Sequence, residues 1–343
     1  MAAVAFLALL IGHELWRSST AGAASSRLAT TSTLADSGSV AALVDPSLVD
    51  ITAGLTYASR TAEGTGIVLN SSGLVLTNNH VIAGATAIRA IDVGNGQDYA
   101  ATVLGYDSSR DVALLQLDGA SGLAVADIGD SSQIALGEPV VGIGNAGGLG
   151  GTPGAASGTV VALKRSIEAN DADDATPEHL DELIATDTNI RPGDSGGPLV
   201  DSAGQVVGLD TAASQGHSPA LTAGEGYAIP IDAAMAVVRR IEDGQASTTI
   251  HVGQTAFLGF EAAASKTPGV SVAQVFYSTP AALAGLIPGD VVVAIAGQTV
   301  ASPAALDALL GRYQPGDIVQ ITWDDPTGTR HTSTVQLAAG PAA

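Results

Sequence analysis

The chain has no cysteine. That excludes disulfides and thiolate metal sites, and it leaves the redox compartment unmarked. Positive charge is scarce, with 13 Lys and Arg against 34 Asp and Glu and a formal net charge of −21. Nucleic-acid binding needs a basic footprint, so that partner class is set aside, and anionic lipid would repel such a surface. No H-E-x-x-H, Walker or EF-hand spacing occurs, so no metal or other cofactor is expected. Long apolar runs are also missing. The N-terminal run ends at Gly12 and would span about 18 Å as a helix, short of a bilayer core of about 30 Å. The first basic residue, Arg17, follows that run instead of preceding it as a signal peptide requires. Residues 1–17 are therefore expected to be a truncated anchor or signal segment, with Ala21-Gly22-Ala23 offering a small-residue cleavage site. The Ser/Thr/Ala-rich residues 18–45 read as a flexible linker.

What is present is glycine, 42 residues of it, and short apolar runs punctuated by Gly, Asp and Asn. That pattern predicts a mainly β protein with regular turns, and 343 residues predict two domains. Gly193-Asp194-Ser195-Gly196-Gly197-Pro198-Leu199 carries the most information. A serine hydroxyl is a weak nucleophile until a base and an oxyanion cradle act on it. Glycines around it let the backbone aim successive N–H groups at one point. The same residues match the G-x-S-x-G elbow of α/β-hydrolases, but that elbow needs a following helix. Here a short apolar run, a turn at Asp201–Gly204 and a second apolar run follow, so an esterase is disfavoured. The G-x-G-x-x-G match at Gly142–Gly147 likewise lacks its helix and is not read as a nucleotide site.

A serine nucleophile calls for a histidine and an acid. Of six histidines, His80 stands out, directly after the run Leu74–Thr77 and a polar turn. Asp111 opens the apolar run Val112–Leu117, where it can be desolvated and accept from an imidazole N–H. The order His80, Asp111, Ser195 is that of chymotrypsin, against serine–acid–histidine in α/β-hydrolases and Asp–His–Ser in subtilisins. From about 245 the chain restarts with Phe257-Leu258-Gly259-Phe260, then Gly269–Val275, Thr279–Asp290, Val291–Gly297 and a helix near Ser302–Arg312.

Thr65–Val68, Leu76–Ile82, Asp111–Leu115, Gly193–Leu199 and Gly226–Pro230 together resemble the HtrA/Deg family of trypsin-like serine proteases, over about residues 46–340. The resemblance implies a chymotrypsin-like protease domain of two perpendicular six-stranded β-barrels over 46–244 and an α+β PDZ domain over 245–343. It implies catalysis by His80, Asp111 and Ser195, with an oxyanion hole from the Gly193 and Ser195 amides. It also implies a substrate pocket at Asn189, Ile190, Tyr227 and Ala228, lacking an acid at Asn189 and so suited to small aliphatic residues. Leu258, Gly259 and Phe260 match the PDZ loop that takes a peptide's C-terminal carboxylate. The implied setting is extracytoplasmic quality control of unfolded proteins by a homotrimer, anchored or secreted. The alternative is a peptide-binding chaperone or scaffold without proteolysis. Two departures stand out: Asp194, where many family members carry Asn, and a short connection at Ala58–Gly64. No zymogen-type activation sequence supplies an ammonium to Asp194, which must find another partner or stay hydrated.

Overall fold

The computed structural model describes residues 36–341 except 56–59, 146–147, 149, 170–177 and 212–224. The expected anchor at 1–17, most of the expected linker, and His217 lie outside the described residues.

The linker expectation fails at its C-terminal end. Helix α1, Ser37–Val44, starts after Asp36, whose Oδ2 accepts from Ser39 Oγ at 2.8 Å. It buries Val40, Ala41 and Val44 in an apolar cluster with Val141, Ile143 and Val200. Ser and Ala in a helix leave little apolar signal beyond that i, i+1, i+4 stripe, so composition hid it.

Six strands follow: β1 (Leu48–Leu55), β2 (Arg60–Val68), β3 (Leu74–Thr77), β4 (Ala87–Asp92), β5 (Asp98–Asp107) and β6 (Val112–Leu117). They pair antiparallel in the order β5-β4-β1-β2-β3-β6, and β5 pairs β6, so the sheet closes on itself. Its interior is apolar, with Val49, Ile51, Val68, Val75, Leu115 and Leu117 fully shielded. A short helix, α2 (Asn79–Ile82), follows β3.

A second closed barrel is built from β7 (Pro139–Gly144), β8 (Gly154–Ala169), β9 (Glu178–Thr186), β10 (Pro198–Val200), β11 (Val206–Thr211) and β12 (Gly226–Pro230), in the order β10-β11-β12-β9-β8-β7. Helix α3, Ile231–Glu242, buries Ile231, Ala234, Val237, Val238 and Ile241, an i, i+3, i+7 stripe facing the core. Asp232 lies in its first turn, and the Asp232 N–H donates to Ser131 Oγ at 3.1 Å. Gly244, at φ 69°, follows the helix.

Strand β13, Ile250–Val252, pairs antiparallel with β5, extending the first sheet. The segment past Gly244 thus remains part of the first barrel's sheet, and the architecture changes only after it. The remaining residues form β14 (Ala256–Phe257), β15 (Phe260–Ala264), β16 (Val270–Val275), α4 (Pro280–Ala284), β17 (Val291–Ile295), β18 (Gln298–Thr299), α5 (Pro303–Leu310), β19 (Ile318–Asp324), β20 (Arg330–Gln336) and β21 (Ala338–Ala339). The sheet runs β15-β16-β17-β19-β20, with β18 on β17. Leu258, Val292, Leu306, Ile321 and Trp323 share its core. Ser302 Oγ caps α5 by accepting from Ala305 N–H at 3.2 Å.

Candidate active site

The acid is held first. Asp107 Oδ1 accepts from Ser109 N–H (3.1 Å) and Oγ (2.6 Å), and its Oδ2 takes the Arg110 guanidinium at 3.1 Å. This network shapes the turn that ends at Asp111. Asp111 sits at φ 53°, a left-handed conformation that Asp tolerates better than most residues. Asn78 Nδ2 donates to its carbonyl at 2.9 Å. Its carboxylate is fully buried and takes three donors: His80 N–H on Oδ1 at 2.9 Å, His80 Nδ1 on Oδ2 at 2.8 Å, and Thr211 Oγ1 on Oδ2 at 3.2 Å. A carboxylate against Nδ1 fixes the tautomer with the proton on Nδ1 and Nε2 as the ring's acceptor. One turn of helix, α2, thus presents the imidazole with both its backbone and its ring tied to one acid.

Ser195 comes from the other barrel. Its loop is tied across the cleft by one residue of β2. Thr65 N–H donates to Ser195 O at 2.8 Å, and Thr65 Oγ1 donates to Gly193 O at 2.8 Å and accepts from Asn145 N–H at 2.9 Å. A β-carbon on Gly64 would strike Val81 and approach Ser195 O to 3.1 Å, so this strand passes tightly between the residue after His80 and the serine. Gly193 is at φ 97° and Gly196 at φ 83°, conformations that demand glycine. A side chain on Gly196 would run into Thr65 O and Thr77 Oγ1. Behind the loop, Gly196 N–H donates to Asp210 O (2.9 Å) and Asp210 N–H to Gly197 O (2.8 Å).

Asp194 is buried. Its Oδ2 accepts from Arg191 N–H at 2.8 Å, while Oδ1 has no partner. Burial pushes its pKa up, against the pull of that amide and of the Arg191 charge. Asp210 is pushed up far more, by complete burial and then by the charge of Asp194. The Ile143 amide favours its ionised form without reaching hydrogen-bond geometry.

The chain is similar to known proteins along most of its length. A trypsin-like peptidase domain matches residues 64–209 and a PDZ domain residues 256–324. The serine protease PepD of Mycobacterium tuberculosis is 35% identical over 317 residues, which is 88% of this chain and 66% of PepD. The putative serine protease HhoA of Synechocystis is 32% identical over 291 residues, 80% of this chain and 70% of HhoA. The chain belongs to the HtrA family of trypsin-like serine proteases with a PDZ domain. A solved HtrA-type protease, AlgW with a tripeptide, superposes with a TM-score of 0.51 at 29% identity, over 89% of this chain and 98% of that one. Several relatives at 34% identity are named periplasmic endoproteases. The chain spans about half to two thirds of the length of most of the curated relatives it matches.

In this HtrA-family chain the expected substrate pocket is only partly assembled. Ile190 is buried and lies where a β-carbon on Gly226 or Gly142 would be, 2.6 and 2.5 Å from its side chain. Asn189 is exposed, and its side-chain oxygen accepts from the Arg191 Nε and Nη2 at 3.2 Å. Tyr227 and Ala228 are successive residues of β12 and so point to opposite faces. Ala228 shares a face with Gly226 and Ile190. Tyr227 does not, and its hydroxyl donates to Glu225 Oε2 at 2.6 Å.

The PDZ loop matches its motif. Leu258 is buried, Gly259 sits at φ 94° with its carbonyl accepting from Thr279 Oγ1 at 3.0 Å, and Phe260 opens β15. Within the sheet β15 pairs only with β16, so its other edge is unpaired by strand. Sequence reasoning missed Thr65 and Thr211 as positioning residues. A threonine in a strand carries no signal of its partner, although Thr65 stood within a motif that the resemblance used.

Proposed function

We propose that the chain is a serine endopeptidase that cleaves unfolded proteins outside the cytoplasm, with its PDZ domain capturing apolar C-termini. The observation that carries the reading is the 2.8 Å contact between His80 Nδ1 and Asp111 Oδ2 in a cleft whose opposite wall is the glycine-flanked Ser195 loop. Ser195 Oγ attacks the peptide carbonyl as His80 Nε2 takes its proton. His80 then protonates the leaving amine, while Asp111 holds the tautomer and stabilises the imidazolium. Gly193 and Ser195 amides bind the oxyanion, where one such donor is worth about 3–4 kcal/mol. A neutral His80 is required, because only then can Nε2 accept the proton. The pocket beside Ile190 and Ala228 suits small aliphatic side chains. The periplasmic names of relatives support the location, and membrane anchoring and a homotrimer belong to this proposal by family likeness.

The test is turnover of an unfolded protein by wild type, Ser195→Ala, His80→Ala and Asp111→Asn. Each should lose nearly all activity, roughly 10⁴-fold or more, and double variants should lose no more than singles because the three act as a unit. Residual wild-type turnover in Ser195→Ala would remove the protease reading, and retained suppression of aggregation there would favour the chaperone.

A further inference from the structure

Among the described residues, Arg191 is the one cation that acts on the acid behind the serine loop. Asp194 lies under that loop with Oδ1 buried and unpartnered, and Asp210 lies beside it with neither carboxyl oxygen hydrogen-bonded. Strand register explains the neighbourhood. Asp210 pairs with Ala228, which pairs with Ile184, and Leu199 pairs with both Gly142 and Gly208. Paired residues share a face, so the Asp210 carboxyl projects among the apolar side chains inside the second barrel. Two glycines of β7 make room for the carboxyls. A β-carbon on Gly142 would stand 3.0 Å from Asp210 Oδ2, and one on Gly144 would stand 3.0 Å from Asp194 Oδ1. Residues i and i+2 of a strand share a face. Both carboxyls therefore lie over one side of β7, on adjacent vacated positions.

Given the reading of the chain as a protease, we propose that Asp210 keeps its proton and donates a hydrogen bond to Asp194, and that this carboxylic acid–carboxylate pair positions the oxyanion loop. Two buried carboxylates so placed cannot both stay ionised, and one proton shared between them gives a partner to Asp194 Oδ1 and to one of the two Asp210 oxygens. Asp210 is the one that holds it, because Asp194 already accepts from the Arg191 N–H and feels the Arg191 charge, whereas Asp210 has neither. No other charge reaches the pair among the described residues. β7 presents Gly142, Gly144 and the Ile143 amide, β10 Leu199, β12 Ala228, and the loop Ile190. The pair fixes Asp194, whose neighbours Gly193 and Ser195 supply the oxyanion donors, and it adds a side-chain tie to the main-chain bonds that already join Gly196 and Gly197 to Asp210 of β11. Asp210 is a positioning residue: it touches no substrate, and its loss should act on kcat, where oxyanion binding is expressed, more than on KM.

Asp210→Val and Asp210→Asn separate this from a packing role. Valine keeps the volume and removes the donor, and kcat should fall at least about 10-fold with KM within about 3-fold. Asparagine keeps a permanent N–H donor, and kcat should return to within about 3-fold of wild type. Wild type should lose kcat at the alkaline end as Asp210 ionises, and Asp210→Asn should not. Infrared difference spectroscopy at pH 7, wild type minus Asp210→Asn, should show a protonated-carboxyl stretch, and that readout needs no activity. Wild-type kcat in a folded Asp210→Val, an unchanged alkaline limb in Asp210→Asn, or no protonated carboxyl at pH 7 each overturns the pair. If the chain proves inactive on every substrate, the protease reading fails, while the infrared band still decides whether the proton is there.

Discussion

At the scale of single residues, the site depends on small side chains that hold the large ones. Thr211 gives Asp111 a third donor from the opposite barrel. A hydrogen bond to a charged acceptor is worth about 1.5–3 kcal/mol, but two of the three remain without it. Thr211→Val should therefore lower kcat/KM by about 5- to 50-fold and leave the fold intact, as circular dichroism and steady-state kinetics would show. No change would mean that His80 alone orients the acid. Asp50 offers a pH test of the fold. Its Oδ2 accepts from Gly151 N–H at 3.1 Å, its Oδ1 is buried without a partner, and burial raises its pKa to about 6. Between the ordinary value near 4 and about 6, the folded state binds more protons than the unfolded state at this group. Stability from this group is therefore lost as pH rises through that window. Asp50→Asn should flatten the fall in Tm from pH 4 to pH 7, each kcal/mol recovered being about 2–4 °C. Parallel Tm curves for the two proteins would sink the assignment.

At the scale of elements, legibility followed the strength of the pattern. The three candidate triad positions stand out in the sequence because each sits beside an apolar run, and chain order then selects one arrangement among three. β9 carries little period-two signal, because in Glu178–Thr186 charged residues lead and Leu183, Ile184 and Ala185 follow in a run. β5 escaped because Ala100 and Ala101 blur the alternation across Asp98–Asp107. Sequence spacing hides which of the expected pocket residues share a face: Tyr227 and Ala228 are successive residues of one strand and point to opposite sides. β13 was invisible because a three-residue strand has almost no pattern, yet it changes where the protease can be cut. A chain ending at Gly244 loses β13 and leaves Ile250's site in the core empty. That burial is worth about 1.5–3 kcal/mol. A chain ending at Gly253 keeps the strand and the Gly253 N–H bond to Leu104 O at 2.8 Å. Thermal melts should place the shorter chain lower by roughly 3–12 °C. Coincident melts would show that β13 contributes nothing.

At the scale of the whole molecule, the two barrels divide the chemistry, since His80 and Asp111 come from the first and Ser195 from the second. Control by the PDZ domain requires that a bound peptide favour the competent arrangement of that shared cleft. A peptide with an apolar C-terminus, measured for its effect on turnover, should stimulate the full chain and leave a chain ending at Gly253 unchanged. Equal rates with and without peptide in both would reduce the PDZ domain to a tether.

The route of the chain decides where such a signal arrives. The PDZ domain follows the serine-bearing barrel in sequence, but β13 returns the chain to the other barrel before the PDZ domain begins. Gly253 bonds Leu104, Tyr106 stacks on His251 at 5.1 Å, and the Tyr106 hydroxyl lies 3.4 Å from Thr255 Oγ1. A tail captured by the PDZ domain would therefore pull on the C-terminal end of β5, where Ile250 pairs with Asp107 and the chain turns toward Asp111. Tension on such a tail would reach the acid and histidine side of the scissors first, with the serine blade on the other barrel.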